Sequence, residues 1–164
     1  GKISGNNQTL PFFENYYVGG YRTVRGFSSN TIGPQAVYTN DDNDDSDSVG
    51  GNAKYTLSAE LIFPVPFVDE AYNRQLRSSV FVDAGEVWDT EFDYSDFMTT
   101  CASGGGDCDD VIDYSKPGNI RVSTGVQLSW MSPMGALVFT LAVPLKEYEG
   151  DSTEVFSFNI GNVF

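Results

Sequence analysis

Hydrophobic and polar residues alternate one by one along five stretches of the chain. This period of two predicts β-strands with one apolar and one polar face. In the first stretch, Leu57 and Leu61 fall on one face, whereas Ser58 and Glu60 fall on the other. The predicted strands cover residues 54–63, 74–83, 119–130, 136–145 and 154–164.

The length of these strands narrows the fold class. No stretch of ten or more residues has a convincing helical period, and no apolar run is long enough for a membrane-spanning helix. The predicted class is therefore all-β. Strands in globular proteins have roughly 5–6 residues, whereas a tilted strand that crosses a bilayer needs about 9–11. The predicted strands have the length of strands that cross a bilayer.

The connecting segments differ at the two ends of the predicted sheet. Residues 28–52, 85–118 and 146–152 are polar or acidic, whereas 64–73 and 131–135 are shorter or turn-like. Counting strand directions places the three polar loops at one end and the two turns at the other. This asymmetry is typical of an antiparallel transmembrane β-barrel.

A soluble secreted β-sandwich with ligand-binding acidic loops is the alternative, because it shows the same alternation with one face buried. The polar face of the predicted strands is too polar for a sandwich core but ordinary for a wet barrel interior. The other face is almost purely apolar. The polar face carries Glu60, Arg77, Asp83, Arg121, Gln127 and Asn159.

The net charge of −14, from 23 acidic and 9 basic residues, is concentrated in two segments. Residues 41–47 hold five acids and 86–113 hold nine, so the rest of the chain is neutral on balance. A nucleic-acid partner is not expected, because no basic surface is present to neutralise phosphates. With no histidine, the commonest general base and metal ligand is missing. We therefore expect no enzymatic activity, cofactor or metal site.

The acidic run at 41–52 is not a calcium loop of the EF-hand type. Ser46 stands where a glycine is required, and Asn52 where a bidentate glutamate belongs. A solvated surface run is the favoured interpretation, with weak divalent binding left open.

Several motifs resemble the BamA family of outer-membrane protein assembly factors of Gram-negative bacteria. The run YVGGYRTVRGF at 17–27 resembles the sixth-loop motif of that family. The segments FVDAGEVWD at 81–89, WMSPMGALVFTLAVPLK at 130–146 and FNIGNVF at 158–164 follow in the order expected of its C-terminal barrel. Two-partner secretion transporters carry tetrapeptides similar to VRGF, so the alternative is that the chain belongs to such a transporter.

The resemblance implies that the chain is the C-terminal part of a sixteen-stranded barrel that follows POTRA domains. Residues 1–53 would contain the long sixth extracellular loop, and 54–164 the last five strands, with extracellular loops at 85–118 and 146–152. The implied function is non-enzymatic folding and insertion of β-barrel proteins into the outer membrane through a lateral seam. The implied partners are the POTRA domains and missing strands, assembly-complex lipoproteins, unfolded clients and outer-membrane lipid. The acidic loops would face outside the cell.

Arg25, in the VRGF motif, is the main candidate site residue. A guanidinium is always charged and has five donors, so inside a barrel it needs carboxylates or an aromatic face. Strand alternation puts suitable partners on the interior face, and the resemblance implies that the loop folds back onto them. The alternative is that Glu60 and Asp83 are ordinary solvated charges of the barrel interior and do not contact Arg25. The predicted loop-docking cluster comprises Arg25, Gly26, Phe27, Glu60, Phe81 and Asp83.

Two further sites follow from the same reading. The C-terminal strand resembles the β-signal of outer-membrane proteins and the strand that forms the lateral seam in the BamA family. The alternative is that it is an ordinary edge strand. The residues of this predicted site are Phe156, Phe158, Gly161 and Phe164. Cys101 and Cys108, with six residues between them, lie in a loop of a protein predicted to be exported, which predicts a local disulfide.

Overall fold

A computed structural model describes residues 14–35, 48–66, 68–69, 75–104, 112–133, 135–148 and 150–161. Within these residues the chain forms one five-stranded antiparallel sheet, in which each strand pairs with the next along the sequence. The strands are β1 (Ala53–Phe63), β2 (Leu76–Trp88), β3 (Arg121–Ser132), β4 (Gly135–Lys146) and β5 (Phe156–Gly161).

The all-β antiparallel prediction is confirmed, and the largest difference from the predicted strand bounds is at the end of β2. β2 continues to Trp88, five residues beyond its predicted end, because Gly85 and Val87 face inward and are covered. The long loop that was expected from residue 85 therefore starts after Trp88. The paired ends Ala53–Trp88 and Val122–Lys146 lie at the same end of the sheet as this loop.

The expectation that the chain has no helix of ten residues is wrong. Helix α1 (Tyr94–Gly104) lies in the loop between β2 and β3. Its start is capped by Asp93, whose Oδ1 accepts N–H bonds from Ser95 and Asp96, each at 3.1 Å. The cap is a local signal that the search for a hydrophobic period overlooked. Within the described ranges, no helix is long and apolar enough to cross a membrane.

The two faces of the sheet have different surroundings. Residues 14–35, called here the inner loop, cover one face, which we call the inner face; the opposite face is the outer face. The outer face is exposed and apolar from β1 to β5. Its exposed side chains include Leu57, Leu61, Val80, Val82, Val126, Leu128, Leu141, Val143, Phe156, Phe158 and Ile160.

One acidic residue lies on the outer side of the described strands, near the loop end of β2. Glu86 is fully buried, and its Oε1 accepts the N–H groups of Gly118 and Asn119, each at 2.6 Å. The segment that precedes β3 therefore covers this carboxylate. The exposed apolar part of the outer face is free of charge as a result.

An apolar cluster attaches the inner loop to the sheet. Val18, Val24, Phe27 and Ile32 of the loop pack with Val87 of β2, and none of them is more than 1% exposed. Burying such side chains contributes roughly 1.5–3 kcal/mol each relative to leaving them in water. The inner loop is thus held on the sheet by a hydrophobic core of its own.

Candidate functional site: the loop-docking cluster

Arg25 reaches the sheet from a hairpin turn of the inner loop. Gly20 donates its N–H to Phe27 O at 3.0 Å, which brings the two arms of the turn together. Gly26 has a φ of +91°, and a Cβ at this position would lie 3.1 Å from the Cβ of Ala142. A glycine is therefore needed both for the backbone conformation and for the close approach. The turn places Arg25 directly over β2.

Every donor of the Arg25 guanidinium is used. Nε and Nη2 donate to the two carboxylate oxygens of Asp83 at 2.7 and 2.9 Å. Nη1 donates to Gln127 at 2.9 Å and to Glu60 at 3.3 Å, and Nη2 also donates to Ser58 at 3.3 Å. These five bonds match the five N–H groups of arginine, which a lysine could not supply.

Asp83 is the acceptor at the centre of the cluster, and its side chain is 1% exposed. Besides the guanidinium, it accepts the backbone N–H of Arg25 at 3.1 Å and the hydroxyl of Ser58 at 2.6 Å. About four lone-pair sites are available on a carboxylate, so Asp83 has little capacity left to accept a proton from a substrate. The arrangement is suited to holding a loop and unsuited to acid–base chemistry.

An aromatic ring completes the contact with Arg25. The guanidinium carbon of Arg25 lies 3.6 Å from the centroid of the Phe81 ring, within the range of a cation–π interaction. Gly125 faces Phe81 across the β2–β3 pair, and a Cβ there would lie 2.7 Å from the ring. A side chain at residue 125 would therefore displace the ring that supports Arg25.

The electrostatics of the cluster keep Arg25 charged. Burial acts to lower the pKa of the Arg25 guanidinium, but the hydrogen bond and charge of Asp83, together with Glu60, outweigh burial and raise that pKa above its ordinary value. The guanidinium of the docked loop therefore stays in its charged form, which is the form that pairs with Asp83.

The structure brings four of the predicted cluster residues into contact, namely Arg25, Glu60, Phe81 and Asp83. Phe27 lies instead in the apolar cluster of the inner loop, and Gly26 contacts β4. Sequence reasoning missed Ser58 and Gln127 as partners of Arg25. Strand alternation could have found them, because it places both on the face that carries Glu60 and Asp83.

The residues of the predicted β-signal lie on β5. Phe156 and Phe158 are exposed on the outer face, and the Phe158 ring lies 4.9 Å from that of Phe139. Gly161 pairs with Ala136 at the turn end. Phe164 lies outside the described residues.

The predicted disulfide between Cys101 and Cys108 falls only partly within the described residues. Cys101 belongs to α1, whereas Cys108 lies outside the described residues, as does the acidic run 41–47. The disulfide stays a prediction.

Comparison with known proteins identifies the family of this sheet and loop. The Omp85 superfamily domain matches residues 1–164. The chain belongs to the Omp85 superfamily. Over 169 residues this Omp85 domain is 40% identical to the outer membrane protein assembly factor BamA of Neisseria meningitidis, covering 98% of the chain and 20% of that relative.

Other relatives agree. A SAM50-like protein of Schizosaccharomyces pombe is 27% identical over 146 residues, which cover 89% of the chain and 26% of that relative. The crystal structure of BamA from Haemophilus ducreyi lacking POTRA domains 1–3 matches with a TM-score of 0.73 at 37% identity, over 91% of this chain and 27% of that one. The chain thus spans about a fifth of the length of the first curated relatives.

These matches confirm the resemblance to the BamA family and the fold class of an antiparallel barrel sheet, of which the chain contains a part. They support neither the two-partner secretion transporter nor the soluble β-sandwich. The curated bacterial relatives are named as assembly factors, not as enzymes.

Proposed function

We propose that this chain is the C-terminal wall of an outer-membrane β-barrel whose full-length protein folds and inserts other β-barrel proteins into the outer membrane of a Gram-negative bacterium. The main support for this proposal is the 40% identity to BamA of Neisseria meningitidis, which extends over 98% of the chain. It therefore includes both the sheet and the inner loop. The apolar outer face would contact lipid, and the loops between β2 and β3 and between β4 and β5 would face outside the cell.

The free edge of β5 supplies a mechanism. Among the described residues, no strand pairs with the edge of β5 that faces away from β4. Unpaired backbone N–H and C=O groups are costly in a bilayer, so this edge needs a partner strand. An unfolded client can provide one by β-augmentation. Strand addition needs no catalytic group, cofactor or energy source, and we propose that the protein is not an enzyme.

The inner loop would hold together the sheet that ends in this edge. Arg25 connects the loop to β1, β2 and β3 through Glu60, Asp83 and Gln127. We assign residues 1–53 to the sixth extracellular loop and 54–164 to the last five strands. The POTRA domains, the remaining strands and the lipoproteins of the assembly complex would be its partners in the full-length protein.

Depletion of the full-length protein in its own cells tests the proposal. We expect the folded, heat-modifiable forms of several outer-membrane proteins to decrease together on gels of unheated samples, and a plasmid copy of the wild-type protein to restore them. A secreted soluble reporter protein serves as the control and should remain unchanged. Unaltered levels of folded barrel proteins after complete depletion would overturn the proposal.

A further inference from the structure

The pairing between β4 and β5 stops well before the loop end of β4. The last ladder pair is Leu141 with Phe156, and Ala142 then donates its N–H to Val155 O at 2.8 Å. Because strand residues alternate in direction, the next N–H toward β5 would belong to residue 144. That residue is Pro144, which has no N–H to donate. The sequence of β4 itself therefore ends the ladder.

The residues just before β5 pair with the inner loop. Ser28 donates its N–H to Ser152 O at 2.9 Å, and Glu154 donates its N–H to Gly26 O at 3.0 Å. Phe27 and Thr153 form an antiparallel bridge between these two bonds. The segment 151–154, called here the strap, thus connects the terminal strand to the tip of the docked loop.

A buried ion pair fixes the first residue of the strap. Arg121 donates from Nε and Nη2 to the two carboxylate oxygens of Asp151 at 2.9 and 2.8 Å, and the side chains are 0% and 1% exposed. Arg121 also donates to Tyr114 Oη at 2.8 Å and to Asn119 O at 2.9 Å. Tyr148 covers the guanidinium at 4.5 Å and donates its backbone N–H to Asp151 at 2.8 Å.

The geometry of this pair is specific. Two parallel N–H···O bonds fix the orientation of the carboxylate as well as its position. Because Asp151 immediately precedes Ser152, the orientation of Asp151 sets the register of the strap against Gly26 and Ser28. The pair lies apart from the Arg25 cluster and shares no residue with it.

We propose that Arg121 and Asp151 are positioning residues for the terminal strand: they hold the strap in register with the loop tip and so attach the loop end of β5 to the inner loop. This deepens the proposed function, on which it rests, because β5 is the strand whose edge would receive clients. By thermodynamic linkage, docking of the loop stabilises the strap, and the strap stabilises the docked loop.

Cysteine crosslinking in the full-length protein tests the attachment directly. The hydroxyl oxygens of Ser28 and Ser152 lie 2.9 Å apart, so Ser28→Cys/Ser152→Cys should form a disulfide in the oxidising cell envelope without added oxidant. In the background of Asp151→Asn, the crosslinking rate should fall by about tenfold or more, because a buried arginine loses its charge partner. Glu154→Gln is the matched control, because Glu154 is an exposed acid in the same strap. Its crosslinking rate should equal that of the wild type.

A rescue experiment separates positioning from a merely structural role. Asp151→Asn should lower the assembly of outer-membrane proteins, and oxidation of Ser28→Cys/Ser152→Cys in the same chain should restore it until a reductant is added. If Asp151→Asn does not fold, as judged by heat-modifiability, Arg121→Lys replaces it in both assays. It keeps the charge but loses the two-pronged geometry.

Three results would overturn the proposal: slow crosslinking in the wild-type background, a crosslinking rate unaffected by either variant, and a loss of assembly that oxidation does not restore. Inhibition of assembly by the crosslink alone would also overturn it, because attachment would then oppose function. Failure of the wild-type protein to assemble clients would instead refute the proposed function, and the crosslinking rates would still decide the role of the pair.

Discussion

Replacing Arg25 by alanine is the most informative single perturbation of the inner loop. The change removes five side-chain hydrogen bonds and the cation–π contact with Phe81. It leaves Asp83, whose side chain is 1% exposed, with the hydroxyl of Ser58 and a backbone N–H as its donors. The variant therefore contains a buried carboxylate, that of Asp83, without a cationic partner.

The magnitude follows from that buried charge. Removing one partner of a buried ion pair costs about 3–5 kcal/mol. At about 1.4 kcal/mol for each factor of ten, the ratio of docked to undocked loop should fall by roughly two to four powers of ten. Replacing Arg25 and Asp83 together by leucine should cost less than Arg25→Ala, because no buried charge is then left without a partner.

Hydrogen exchange read by mass spectrometry on the full-length protein in detergent measures this effect. Amides of residues 24–28 should exchange much faster in Arg25→Ala than in the wild type, whereas amides of β3 should change little. Arg22→Ala is the matched control, because Arg22 lies in the same loop but is exposed and donates to the neighbouring Tyr21 hydroxyl at 2.6 Å. It should leave the exchange unchanged.

The reasoning would be refuted if Arg25→Ala and Arg22→Ala gave the same exchange at residues 24–28. It would also be refuted if the double leucine variant were less stable than Arg25→Ala. The first result would mean that the apolar cluster alone holds the loop, and the second that the unpaired carboxylate of Asp83 is not the source of the loss.

Three further predictions concern the loops. Gly26→Ala should destabilise the docked loop by about 1–3 kcal/mol, because alanine is strained at a φ of +91°; faster exchange at the loop tip measures it, and unchanged exchange contradicts it. Burial raises the pKa of Tyr114, although Arg121 partly opposes the shift. The stability that Tyr114 contributes should therefore be complete below pH of about 10, its ordinary pKa, and be lost as the pH rises through the higher folded value. The difference between the absorbance titrations of the wild type and of Tyr114→Phe should show one tyrosine whose pKa is above the ordinary value for tyrosine. A difference titration at the ordinary pKa would count against burial. Alkylation of the denatured protein should label Cys101 and Cys108 only after reduction, and labelling without reductant would exclude the disulfide.

The strand pattern was predictable because each strand has two chemically different environments. Alternation placed Asp83 and Phe81 on one face and Val80 and Val82 on the other, as the structure has them. Charge and aromatic chemistry then indicated what a loop arginine would contact. Strand alternation determined which side chains face the interior, and the resemblance to the BamA family implied that the loop folds back onto them.

Features that depend on the meeting of distant loops were not predictable. Arg121 was placed on the inner face, but its partner Asp151 comes from the connection between β4 and β5, and nothing local to either residue indicates the pair. The same holds for the bridge between Phe27 and Thr153. Helix α1 was missed because its signal is the cap at Asp93, not a hydrophobic period.

Site-specific photocrosslinking from β5 tests the central claim most directly. A photoreactive residue at Ser157, on the terminal strand, should crosslink to newly made outer-membrane proteins in living cells, whereas the same residue at Val126, in the middle of the sheet on β3, should not. Equal client crosslinking at both positions, or none at Ser157 while assembly proceeds, would contradict the claim that clients enter along the free edge of β5.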